Sequence, residues 1–315
     1  MKDWNNEQVE ARKPRIADEP RPGCDTEHSA GLPQPERGMR PRQAGAPIGI
    51  FDSGAGGLTI LADLRVELPH EHFIYLGDTA NCPYGVRSDE EITALTLESC
   101  RFLLKQGVKL IIIACNTASQ AALSTLRATL YPLPFIGVVP AVKPAARLTR
   151  NGRIGIAATN QAAKAIYLRQ LIDEFAGGIK AFAVGCPDLV MLVERGQFEG
   201  PEVEATVRQA LRPVLAEDID VLVLGCTHFP ALRPVIERVA GPRVQVIDSG
   251  QAIARRTRSV LQAEGLFAPA TLLDQGGGEL EIWSSGNPEA FSEVATHILR
   301  LPVQARQATP EIQGA

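Results

Sequence analysis

Ile48-Gly49-Ile50-Phe51-Asp52-Ser53-Gly54-Ala55-Gly56-Gly57 sets the pattern from which the fold is read. A short β-branched run ends at an acidic residue, a glycine-rich turn follows, and a helical stretch opens behind it. The same alternation repeats along the chain. Aliphatic runs at 48–51, 72–76, 110–114, 135–138, 154–157, 180–184, 221–224 and 244–247 are each followed by a turn signal and then helical spacing. Strands alternating with helices specify βαβ units, hence an α/β protein with mostly parallel sheets covered by helices on both faces. Sites in such sheets form at the carboxyl ends of the strands.

The opening motif has an echo. Arg153-Ile154-Gly155-Ile156 repeats Pro47-Ile48-Gly49-Ile50, and some way after each comes an aliphatic strand ending in cysteine. These are Ile113-Ala114-Cys115-Asn116-Thr117 and Leu224-Gly225-Cys226-Thr227-His228. Two similar halves, each presenting Cys and Thr at one strand end, predict two pseudo-symmetric parallel-sheet α/β domains. The active site is expected in the cleft between them.

Length agrees with two domains, since 315 residues exceed one small core. Apolar residues make up 45% and charged residues 22%, an ordinary globular balance. A net charge of −4 gives no basic field, so neither nucleic acid nor a membrane surface is expected as partner. No apolar run approaches the ~18 residues of a membrane span, and the first residues lack a signal-peptide core. Six cysteines, Cys24, Cys82, Cys100, Cys115, Cys186 and Cys226, have no framework spacing and read as reduced thiols of a cytoplasmic protein. Residues 1–46 are proline-rich and poor in large apolar side chains, so a disordered extension is expected there, with Met39 a second candidate start. From Pro302 to the end the chain is expected to be a frayed tail.

The chemistry concentrates at the two cysteines. Each follows a buried-looking strand and precedes a helical stretch, where unpaired N–H groups and the helix dipole lower a thiol pKa from about 8.5. The same N–H groups, with Asn116, Thr117 and Thr227, suit a carboxylate. Either cysteine alone also reads as a small buried hydrophobe; two in equivalent places favour chemistry. The Asp52–Gly57 loop lacks both the dinucleotide and the Walker spacing. It reads either as a close approach to an anion or as a simple helix cap. His228 is placed to move protons at Cys226. It could also edge a metal site, but no second Cys/His pair has zinc spacing, and no metal is expected. No lysine sits where pyridoxal phosphate would need one, so no cofactor is expected.

Five motifs in order now carry a resemblance. They are Ile48–Gly54; Gly77-Asp78-Thr79 with Pro83-Tyr84-Gly85; Ala114–Ser119; Gly225-Cys226-Thr227-His228-Phe229-Pro230; and Ile247-Asp248-Ser249-Gly250. Over roughly 47–265 the chain resembles the glutamate racemases of the aspartate/glutamate racemase superfamily. Histidine after the second Cys-Thr resembles the glutamate branch. The resemblance implies cofactor-independent interconversion of L- and D-glutamate, supplying D-glutamate for peptidoglycan. Cys115 and Cys226 would be the acid and base on opposite faces of Cα, Cys115 acting on D-glutamate and Cys226 on L-glutamate. Asp52 would stand beside the first thiol, and His228 and Glu194 beside the second. Asp52, Ser53, Pro83, Tyr84, Gly85, Asn116, Thr117, Thr159, Thr227 and His228 would hold the substrate.

The resemblance also implies that the first domain, 47–143, takes back 248–301, leaving 144–247 as the second. Two departures stand out. Ala162 occupies a place where the family pattern has threonine, which bears on selectivity. The N-terminal extension raises a nucleotide-linked muramyl-alanine as activator. Monomer and homodimer both remain open. The competing readings are a racemase of aspartate or a broader amino-acid set, a dicarboxylate-binding protein without turnover, and, less supported, an inhibitor of a nucleic-acid enzyme.

Overall fold

The computed structural model describes residues 43–269 and 278–308, which fall within one compact unit. The first run of elements is β1 (Ile48–Asp52), α1 (Leu58–Glu67), β2 (Phe73–Gly77), α2 (Asp89–Lys105), β3 (Leu110–Ile113), α3 (Asn116–Thr129), β4 (Phe135–Gly137) and α4 (Val142–Leu148). The second is β5 (Arg153–Ala158), α5 (Asn160–Lys164), α6 (Ile166–Phe175), β6 (Lys180–Gly185), α7 (Pro187–Glu194), α8 (Pro201–Leu215), β7 (Val221–Leu224), α9 (Arg233–Ala240) and β8 (Gln245–Ile247). α10 (Gly250–Glu264), β9 (Leu280–Ser284), α11 (Pro288–Leu299) and β10 (Ala305–Gln307) follow.

The strands form two parallel sheets, ordered β10-β9-β2-β1-β3-β4 and β6-β5-β7-β8. The α/β reading holds. Moreover β2-β1-β3-β4 has the same order as β6-β5-β7-β8, so β1 matches β5 and β3 matches β7. In each sheet the chain reverses its winding direction beside the central strand, β1 or β5. The crevice outside that reversal is where open α/β sheets bind ligands, and both cysteines follow strands that border it.

Helix ends follow local chemistry. Ser88 and Glu91 close α2 with a reciprocal capping box. Asn287 caps α11 ahead of Pro288, and Gly265 ends α10 in the left-handed region at φ 64°. A continuous apolar cluster runs from Ile50, Ala55 and Leu58 to Leu189, Cys226 and Phe229, so the core passes between the sheets.

The repeated Ile-Gly-Ile has a packing cause. A Cβ on Gly49 would lie 3.2 Å from Val108 Cγ1, and one on Gly155 would lie 2.5 Å from Ile219 Cδ1. Val108 and Ile219 each stand just ahead of the strand leading to a cysteine. Glycine in β1 and β5 therefore makes room for the side chain that seats β3 and β7.

The carboxyl end departs from the sequence-based expectation. Rather than fraying from Pro302, the chain forms β10 beside β9, and Ala308 N–H donates to Ser284 O at 2.8 Å. The pairing is by backbone at a sheet edge, where a short polar run such as Ala305–Gln307 has no hydrophobic signature to reveal it. The extension expected over 1–46 lies, as far as residue 42, outside the described residues, as do 309–315. Among the described residues no helix is long and apolar enough to cross a membrane.

Gly155→Ala must displace Ile219 and is expected to cost about 1–3 kcal/mol, the usual range for overpacking. Gly49→Ala meets softer contacts and should cost less. Thermal unfolding checks both: a Tm for Gly155→Ala equal to that of the parent would contradict the packing account.

Candidate active site

Cys115 and Cys226 line one cavity of about 240 Å³. Cys115, beyond β3, caps α3: its Sγ accepts from Ala118 N–H at 3.5 Å and lies 3.4 Å from Ser53 Oγ. Burial pushes the Cys115 thiol up to about 12, the Asp52 carboxylate adds to this, and the Ser53 and Ala118 bonds only partly oppose it. The expectation that the helix terminus lowers this pKa is overturned, because desolvation outweighs one long N–H···S contact. Cys226 departs from expectation differently. The chain after it enters a 3-10 turn at Phe229–Leu232, and α9 begins only at Arg233, so no α-helix N-terminus faces this sulfur. Its neighbour is an imidazole instead: His228 Nδ1 lies 3.6 Å from Cys226 Sγ.

The other edge of that ring is bound tightly. His228 Nε2 lies 2.5 Å from Glu194 Oε1, and the same oxygen accepts from Ala55 N–H at 2.7 Å. Burial acts to lower the His228 pKa, but its bonds to Cys226, Cys82 and Glu194 raise it well above 6.5. Burial would raise Glu194, but His228 and the Ala55 N–H hold it below its usual carboxylate value. The pair is a buried imidazolium–carboxylate.

This explains the glycine loop. A Cβ on Gly54 would sit 2.1 Å from Glu194 Oε1, and one on Gly56 would sit 2.6 Å from His228 Nδ1. The anion that approaches the loop backbone is thus the protein's own Glu194. Asp52, fully buried, accepts from Gly54 N–H at 2.9 Å and from Thr227 Oγ1 at 3.1 Å. Burial raises its pKa despite the opposing His228 charge.

Of the residues expected at the site, Ser53, Pro83, Tyr84, Gly85, Asn116, Thr117, Thr159, Thr227 and His228 line the cavity with the two thiols. Asp52 and Glu194 stand outside the lining: Asp52 has both oxygens engaged by protein, and Glu194 opens onto a neighbouring cavity. Ala162 is also outside it, buried, its N–H donating to Thr159 Oγ1 at 3.1 Å. Tyr84 donates its hydroxyl to Asp78 at 2.7 Å. Thr117 and Thr159 hydroxyls meet at 3.1 Å, joining the two halves across the cavity. Asn116 Oδ1 is buried without a hydrogen-bond partner.

Sequence reasoning missed Val86, Asn160, Pro187, Asp188, Val190 and Met191 in the lining. Asn160, Pro187 and Asp188 had a usable signal, since they follow the ends of β5 and β6. Cys82 was also missed; its sulfur converges with Glu194 and His228 in a group that could hold a cation.

This two-sheet α/β chain has known counterparts. The family model of Asp/Glu/hydantoin racemases matches residues 59–257, and the chain belongs to that family. A glutamate racemase of Herpetosiphon aurantiacus is 43% identical over 248 residues, covering 79% of this chain and 96% of that protein. A crystal structure of a Bacillus anthracis glutamate racemase superposes with TM-score 0.74 at 33% identity, covering 84% of this chain and 97% of the other. An Escherichia coli glutamate racemase, solved in complex with L-glutamate and the activator UDP-MurNAc-Ala, gives 0.72 at 33%, covering 83% and 97%. Glutamate racemisation, an isomerase reaction with a role in cell-wall synthesis, is accordingly the activity of this chain.

The imidazolium–carboxylate pair has a pH signature. His228 is raised, so its contribution is complete below 6.5 and is lost as pH rises through its folded value. Glu194 is lowered, so its contribution is present above 4.5 and is lost as pH falls through its folded value. Glu194→Gln should therefore cost about 3 kcal/mol near pH 6, the scale for stripping a partner from a buried charge. The cost should shrink in alkali as His228 loses its proton. Urea denaturation at both pH values reads this; a pH-independent difference would contradict the ionic pair.

Proposed function

We propose that Cys115 and Cys226 are the two acid–base groups of the racemisation, working on opposite faces of the substrate Cα. One observation carries this reading: the two thiols come from equivalent strand ends of two matching sheets and line one cavity. In the L-to-D direction the Cys226 thiolate takes the Cα proton, and the Cys115 thiol delivers its own proton to the other face of the carbanion. The thiolate and thiol have then changed places, and the same step in reverse converts D to L. A Cys115 pKa near 12 means that it rests as the thiol, ready to donate. His228, between Cys226 and Glu194, is the group that restores the Cys226 proton state. Asp52 braces Thr227 and acts on Cys115 through charge rather than by touching substrate.

The lining supports the binding roles. Asn116 Oδ1 accepts from the substrate ammonium, the group that would satisfy this orphaned buried oxygen. Ser53, Thr117 and Thr159 hydroxyls, with the backbone at Thr227 and at Pro83–Gly85, hold the carboxylates. Dipoles fixed around the cavity stabilise the carbanion by electrostatic pre-organisation. The six- and four-stranded sheets are read as cores of two domains, 47–143 with the segment after 248, and 144–247. Reliance on reduced thiols favours the cytoplasm. A nucleotide-linked muramyl-alanine is the activator candidate, by likeness to the Escherichia coli complex.

Cys115→Ser and Cys226→Ser should each slow racemisation in both directions by about 10²–10⁴-fold, the usual contribution of general acid–base groups. Chiral chromatography of glutamate checks this, with and without the nucleotide and with aspartate as rival substrate. Near-normal turnover by Cys115→Ser would sink the two-thiol reading.

A further inference from the structure

A second group of ligand-bearing side chains adjoins the cleft. Cys82, in the loop after β2, Glu194, ending α7, and His228, after β7, converge so that one ligand atom from each lies within 4.8 Å of the others. They come from segments far apart in the chain, so no motif spacing announces them. We propose that Cys82, Glu194 and His228 form an inhibitory site for a thiophilic divalent cation of the Zn²⁺ class.

Four features of the structure support the site. First, the donor set is one thiol, one imidazole and one carboxylate, three protein ligands of the kind zinc takes when water fills the fourth position. Second, room exists: Cys82 and Glu194 line a separate cavity of about 310 Å³, which admits an ion and leaves space for that water. Third, the outer contacts that orient ligands are in place. Glu194 Oε1 is held by Ala55 N–H at 2.7 Å, and the His228 Nδ1 edge faces Cys226 at 3.6 Å while its Nε2 edge faces the site. Fourth, Gly54 keeps the meeting place clear. A Cβ there would lie 2.1 Å from Glu194 Oε1 and 3.1 Å from Cys82 Sγ.

Metal–ligand distances of about 2.0–2.3 Å put tetrahedral ligands roughly 3.3–3.7 Å apart. The 2.5 Å His228–Glu194 pair must open by roughly an ångström, and the sulfur, within 4.8 Å of both, need close by no more than a similar amount. Side-chain rotation suffices for both. On binding, the Cys82 thiol proton and the His228 Nε2 proton leave to solvent, and the cation takes their place. The imidazole beside Cys226 is then neutral and keeps only its Nδ1–H, a far weaker acid than the imidazolium, which slows the proton traffic at that thiol. This inhibition, though not the binding, rests on the two-thiol reading above.

Co²⁺ titrated anaerobically into the reduced full-length protein, read by the thiolate-to-cobalt charge-transfer band, tests the site without reference to activity. One equivalent should produce the band in the wild type, in Cys115→Ser and in Cys226→Ser, and Cys82→Ser should lack it. Cys82→Ser, checked for folding by its thermal melt, should still racemise glutamate and need at least about tenfold more Zn²⁺ for half inhibition. A band that survives Cys82→Ser, or disappears in Cys226→Ser, would assign the cation to the cleft thiols and overturn the proposal. So would a wild type with no band. A band kept by Cys226→Ser while that variant still racemises would refute the two-thiol reading and leave the site standing.

Discussion

Glu194 Oε1 accepts two hydrogen bonds at once, from Ala55 N–H in the loop after β1 and from His228 beyond β7. One carboxylate thus ties the end of α7 to both sheets, at the place where the sheets present Cys115 and Cys226 to one cavity. Much of the local sequence serves this contact. Gly54 and Gly56 are small because Glu194 and His228 occupy the volume a side chain would need. Asp52 reaches across to Thr227, and Thr59 donates to Thr227 O at 3.0 Å, so the loop carrying Cys226 is pinned to the first sheet on either side of the pair. A buried charge pair held by backbone on one side and the His228 ring on the other is costly to desolvate. Its compensation is geometric: the imidazole cannot turn away from Cys226 without taking its charged partner from Glu194.

The two thiols sit in unlike surroundings although the fold treats them alike. Cys115 is governed by burial and by Asp52, and among the described residues its backbone donor is a long contact from Ala118. Cys226 has no helix terminus but has the imidazolium. A symmetric scaffold with asymmetric proton environments suits a reaction whose two directions begin from opposite protonation states. The same arrangement places Cys82 on the far edge of the ring, where a soft cation competes with the proton the reaction needs.

The α/β class and the positions of β1 to β8 were legible because each strand is a compact aliphatic run closed by a turn. β9 and β10 were not. Leu280–Ser284 mixes Glu281 and Ser284 with its apolar residues, and Ala305–Gln307 is a three-residue polar edge without an aliphatic run. At the site, Cys115, Cys226 and the threonines were visible as strand-end residues in two matching motifs. The glycine loop read equally as a close approach to an anion or as a helix cap; what decides between them is Glu194, 139 residues from Ala55. Local pattern cannot report such a contact. The helix-dipole argument failed at Cys115 because sequence shows which groups adjoin a thiol and not how deeply it is buried.

The central claim is that separate thiols serve the two faces of one carbon, and early-time isotope incorporation tests it most directly. L-glutamate is converted in D₂O, and both enantiomers are recovered after a few per cent of reaction for Cα deuterium analysis. The account predicts deuterium throughout the D-glutamate formed and almost none in the remaining L-glutamate, since the proton removed by Cys226 does not return from Cys115. Deuterium appearing equally in both enantiomers from the start would mean a single base reaching both faces, and would contradict it.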